Sequence, residues 1–65
     1  MAAEIADRIR VLILDGTFPP GQPLPGERSL AERFGVSRGS IRDAFRTLET
    51  IGLLATRHGH GTFPQ

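Results

Sequence analysis

Two helical patterns meet across three residues. In the run LAERFGVSRGSIRDAFRTL, Leu30, Ala31 and Phe34 share one helical face. Ile41, Ala44, Phe45 and Leu48 share another at i, i+3, i+4 and i+7, and only Gly35, Val36 and Ser37 stand between the two runs. Each run has an apolar stripe to bury, so a connection this short forces the helices to cross sharply over a common core. Gly35 suits the positive φ that ends a helix, Ser37 has the hydroxyl that caps the next one, and Val36 packs back into the angle. The spacing predicts one helix opening at Gly26–Glu27 and closing at Gly35. It predicts a second over residues 37–51, closed by Gly52.

The flanks supply the rest of a small domain. Ile5, Ile9, Leu12 and Ile13 recur at helical spacing, which predicts a helix from Ala3 to Asp15 ended by Gly16. The phrase FPPGQPLPG carries four of the five prolines and forbids helix, so it reads as a rigid extended connection with Leu24 as its apolar anchor, in a short edge strand. Beyond Gly52, LLAT, RHGHG and TFPQ read as strand, glycine-rich turn and strand over residues 53–64, with Pro64 confining the second strand to an edge. The phenylalanines Phe18, Phe34, Phe45 and Phe63 are expected in the core. The fold class expected is mainly α with a small β-hairpin: a winged helix-turn-helix of three helices plus a wing, as one domain over residues 1–65.

Size and composition then remove alternatives. A chain of 65 residues is near the size that buries only about 60% of its unfolded surface, so its apolar residues go to packing and not to a lined pocket. No nucleophile stands beside a base at catalytic spacing, and no catalytic residue or cofactor is expected. There is no cysteine, and His58 with His60, two apart on a strand and so sharing a face, lack further ligands; no metal is expected. HGHG is not followed by a helix and so lacks the amides of a phosphate loop. No apolar run could span a bilayer and the start is unlike a signal peptide, so a cytoplasmic protein is expected.

Charge placement points to a partner. The net charge is only +1, but from Glu27 to Arg46 five arginines face three acids, and every basic side chain is arginine. With the buried stripe of the last helix facing inward, Gly39, Arg42, Asp43, Arg46 and Thr50 look outward, with Arg38 beside them. Its first turn, SRGS, is small, cationic and hydroxyl-rich. Such a helix end fits the major groove, where arginine pairs with guanine O6 and N7 and serine bonds phosphate, while Arg28 is placed to meet the backbone or a nearby base. Arg33 and Arg46 read as solvated helix-face or phosphate-only residues and not as base readers. The alternative is a winged helix used for protein contact, which would not need small residues and exposed arginines at that helix start.

The run LPGERSLAERFGVSRGSIRDAFRTLETIGLLATRHGHGTF, preceded by ILDGTFPPGQPLP, closely resembles the N-terminal signature of the GntR family of bacterial transcriptional regulators, and in particular its fatty-acid and organic-acid (FadR-like) branch. The resemblance implies a winged helix-turn-helix that binds an inverted-repeat operator as a homodimer. It also implies a larger C-terminal domain, beyond these residues, that senses a small-molecule effector. DNA contacts then fall on Arg28, Ser37, Arg38, Gly39, Ser40 and Arg42 and on the wing-tip residues His58 and Gly59; Arg46 and His60 extend the same surface. The sequence departs from the family pattern in four places. Gly26 stands for a serine N-cap, which costs a few tenths of a kcal/mol. Gly39 stands for a threonine, leaving only backbone approach. His60 stands for an arginine, making the wing contact pH-dependent, and Pro64 replaces a strand residue.

Overall fold

The computed structural model describes residues 2–65, with side-chain surroundings from Glu4 onward. Its elements are α1 (Ala2–Leu14), α2 (Glu27–Phe34), α3 (Arg38–Thr50), β1 (Leu54–Arg57) and β2 (Gly61–Pro64). The stripe of α3 is buried as its spacing requires: Ile41 and Ala44 are fully enclosed, and Phe45 and Leu48 nearly so. α1, α2 and β1 all pack against α3. α1 contributes Ile5, Ala6, Ile9 and Ile13 to the shared core and α2 contributes Leu30 and Ala31, while Phe18, Leu24 and Leu54 close its margins.

Local chemistry sets the turns. Gly35 follows α2 in the left-handed region at φ 68° and sends its N–H to the Ala31 carbonyl. The Val36 N–H reaches the same carbonyl at 3.0 Å, so two donors end the helix where an L side chain would be strained. After α3, the Leu53 N–H donates to the Leu48 carbonyl (2.9 Å) and the Gly52 N–H to the Glu49 carbonyl (3.1 Å), the paired bonds of a Schellman ending. α1 stops at Leu14, one residue before the sequence spacing suggested. The Asp15 carboxylate there accepts the Thr17 N–H at 2.9 Å, and hydrogen bonding from the Thr17 side chain and N–H holds the Asp15 carboxyl below the usual aspartate range.

The hairpin pairs antiparallel, with Leu54 opposite Pro64, Ala55 opposite Phe63, Thr56 opposite Thr62 and Arg57 opposite Gly61. Pro64 is buried against the core at the end of β2. Leu24 forms no strand of its own. Its N–H donates once to the Thr62 carbonyl on the outer side of β2 (2.8 Å). The ladder goes no further because the Gln22 N–H is taken by Pro19 in a turn and the Gly26 carbonyl by Leu30 at the start of α2.

Two of the four phenylalanines depart from expectation. Phe18 and Phe45 are buried, whereas Phe34 and Phe63 are only half-buried. Phe34 packs against the edge of the core, and each ring is covered on its outer side by a guanidinium: Arg8 lies 4.4 Å from the Phe34 ring centre and Arg57 lies 5.7 Å from that of Phe63. An arginine stacked on a ring covers apolar area while keeping its charge in water.

Candidate nucleic-acid interface

The start of α3 is a fixed, cationic helix end. Ser37 caps it from extended backbone, its Oγ accepting the Ser40 N–H at 3.1 Å, and the two hydroxyls lie 3.0 Å apart. One of that pair donates to the other, so one O–H is left over for an outside acceptor. Arg38 and Gly39 are exposed beside the cap, and Arg42 and Arg46 continue the same outward face one and two turns on. A Cβ built on Gly39 would meet nothing closer than the Ser37 Oγ at 3.9 Å, so the glycine answers no crowding within the chain. It leaves bare backbone at the point where a groove would approach.

Arg28 is exposed in the first turn of α2. Among the described residues, Arg28, Arg38 and Arg46 make no ion pair or side-chain hydrogen bond. Arg42 does. Its Nε donates to Glu27 Oε2 at 3.3 Å and its Nη2 to Glu27 Oε1 at 3.1 Å, a fork-on-fork pair joining α2 to α3. The hydrogen bonds from Arg42 hold the Glu27 carboxyl below the usual glutamate range, helped by the positive charges of Arg42 and Arg38. The same bonds push the Arg42 guanidinium further up. Helical spacing alone puts Arg42 on the outward face, where it lies, but assigns Glu27 no partner. The available signal was an acid and an arginine near the starts of two helices known to cross.

The wing tip is built more loosely. His58, Gly59 and His60 are all exposed. They form the turn itself, closed by the His60 N–H on the Arg57 carbonyl at 2.9 Å, so strand alternation does not set the two imidazoles on one face. Gly59 sits third in this turn at φ 80°, a position that glycine takes without strain. Lower down, Glu49 on α3 accepts from the Thr56 hydroxyl and so ties the wing to the helix. Among the described residues no group of three or more His, Cys, Asp or Glu could hold a metal ion, and no helix is long and apolar enough to cross a membrane.

A second surface feature lies elsewhere. Arg8, Val11, Leu12, Arg33 and Phe34 line a shallow groove between α1 and α2. Arg33 is about 140° around α2 from Arg28 by helical geometry. Its guanidinium stands 5.9 Å from the Phe18 ring centre.

Three helices, a glycine-closed turn and a hairpin wing, with arginines and hydroxyls at the start of α3, define a winged helix-turn-helix DNA-binding domain. The model of the bacterial regulatory proteins, gntR family, matches residues 1–63, and the chain belongs to that family. It is 53% identical over 58 residues to an uncharacterized HTH-type transcriptional regulator of Mycobacterium tuberculosis, covering 89% of this chain and 24% of that protein. It is 46% identical over 63 residues to the putative L-lactate dehydrogenase operon regulatory protein of Escherichia coli, covering 97% of this chain and 24% of that one. The chain thus spans about a quarter of the length of these curated relatives. Among solved structures it resembles a Streptococcus agalactiae GntR protein, with a TM-score of 0.89 and 42% identity over 100% of this chain and 31% of that one. It also resembles the AraR DNA-binding domain in complex with operator ORR3, with a TM-score of 0.90 and 39% identity over 98% of this chain and 77% of that one.

Proposed function

We propose that this chain reads operator DNA for a transcription regulator, with the start of α3 in the major groove and the wing, residues 53–64, against the minor groove. The observation that carries the reading is the helix end of exposed Ser37, Arg38 and Gly39 with half-buried Ser40, and Arg42 one turn on. Its support is that the same fold in AraR was solved on an operator. Arg38 addresses guanine, with Arg42 beside it. Gly39 admits close backbone approach, and the spare hydroxyl of Ser37 or Ser40 bonds phosphate. Arg28 and Arg46 meet the backbone on either side, and His58, Gly59 and His60 follow the groove edge.

Residues 1–65 then act as the DNA-binding domain of a longer regulator whose C-terminal domain takes a small-molecule effector. The quarter-length coverage of the curated relatives supports this. Likeness to the putative L-lactate dehydrogenase operon regulatory protein supports the fatty-acid and organic-acid branch. The longer protein binds an inverted repeat as a homodimer in the cytoplasm, at the nucleoid. The 65-residue chain alone is a monomer: among the described residues the large exposed apolar side chains are Val11, Leu14 and Ile51, few for an interface of about 1,200 Å² or more. Selection from a random duplex library tests the reading. Enrichment of one motif, bound with a steep inverse salt dependence, is expected. Equal affinity for selected and scrambled duplexes would refute it.

A further inference from the structure

An acidic side chain in the middle of a DNA-facing surface repels phosphate, so Glu27 needs a reason to be there. Its position supplies one. A guanidinium has two bidentate edges, a side edge of Nε with one terminal nitrogen and an end edge of the two terminal nitrogens. Glu27 occupies the side edge of Arg42, through Nε at 3.3 Å and Nη2 at 3.1 Å. One N–H from each terminal nitrogen is left pointing outward in parallel, the spacing that fits guanine N7 and O6. The carboxylate is the sheltered partner, its side chain 28% exposed against 56% for Arg42, so the pair presents donors and not the acid. Glu27 is itself anchored in the first turn of α2, where the helix dipole favours negative charge.

Charge decides which acceptor the outward edge prefers. Paired with Glu27, Arg42 carries almost no net attraction for a phosphate, whereas a neutral base edge needs aligned donors more than net charge. We propose that Glu27 is a specificity-determining positioning residue, which holds Arg42 side-on so that its end edge reads guanine and not phosphate. This rests on the proposed DNA-binding reading of the α3 start.

The test uses the 65-residue chain, its selected duplex and a scrambled duplex of equal length, with 7-deazaguanine placed singly at each guanine of the selected site. Wild type should lose affinity at one guanine that Arg42→Ala no longer senses. Glu27→Gln, and Glu27→Asp, whose shorter arm cannot hold both nitrogens, should each cut discrimination at that same guanine about tenfold. Affinity for the scrambled duplex should hold for Asp and rise for Gln, which removes a negative charge. Far-ultraviolet circular dichroism would confirm that all three variants fold, and with Asp keeping the charge, loss of orientation is separated from loss of repulsion. Glu27 variants that retain the guanine preference while Arg42→Ala loses it would overturn this proposal alone. A wild type that discriminates no sequence would overturn the DNA-binding reading and this proposal with it.

Discussion

The start of α3 and the tip of the wing both face outward with basic side chains, and they are built in opposite ways. At α3 the cap hydroxyl is bonded to a backbone amide, Arg42 is held by two hydrogen bonds, and Ile41 is fully buried beneath. At the tip, three exposed residues hang on a single turn bond. Reading a base edge requires donors fixed to within about 0.5 Å, because a hydrogen bond misplaced by more is lost. Following a groove edge requires only charge, donors and a pliable backbone. On the proposed DNA-binding reading, the contrast gives sequence discrimination to the helix start and general affinity to the wing.

The harshest way to break the contrast is to remove what both regions stand on. Ile41→Ala empties the core below α3, and in a chain this small a loss of about 2–5 kcal/mol should leave little folded protein. Thermal denaturation should show helix and hairpin melting together, while a hairpin-only loss would separate the two regions. Next in size, Arg38→Ala should cost about 1–3 kcal/mol on the selected duplex and much less on a scrambled one, by anisotropy titration. Equal losses would make Arg38 a phosphate contact and erase the division of labour. Ser37→Ala removes the cap and should lower stability by roughly 1 kcal/mol in urea unfolding.

Smaller effects sharpen the picture. Replacing His58 and His60 together with alanine should weaken both duplexes by the same modest factor; a loss confined to the selected duplex would move base reading onto the wing. The Glu27–Arg42 pair should leave the faintest trace, in acid. A carboxylate whose acidity is strengthened by folding stabilises the fold above its unfolded titration range, and that contribution is lost as pH falls through the folded value. Wild type and Glu27→Gln should therefore differ most near neutrality and converge in acid, and a difference that grows on acidification would contradict the pairing.

What the sequence revealed was whatever depends on spacing along one element. The α3 stripe, the ends at Gly35 and Gly52 and the strand–turn–strand of the wing follow from periodicity and turn chemistry, and the structure has them within a residue. What stayed hidden depends on how elements cross. Phe34 reads as wholly core, but it sits at the core's edge with Arg8 of α1 stacked over its outer side. Leu24 reads as a strand until the flanking carbonyl and amide prove committed elsewhere. Glu27 and Arg42 are fifteen residues apart, and no local pattern joins them. The outward face of α3 was legible at Arg38, Gly39, Arg42 and Arg46, whereas the partner that fixes one of them required the crossing of two helices.

Backbone amide shift mapping of the isotope-labelled chain, titrated with its selected duplex, tests the central claim most directly. The largest shifts should fall on Ser37 to Arg42, with Arg28 beside them. Smaller shifts should follow across His58, Gly59 and His60, and the groove of Arg8, Val11, Leu12, Arg33 and Phe34 should stay unmoved. Shifts centred on that groove, with the start of α3 silent, would contradict it.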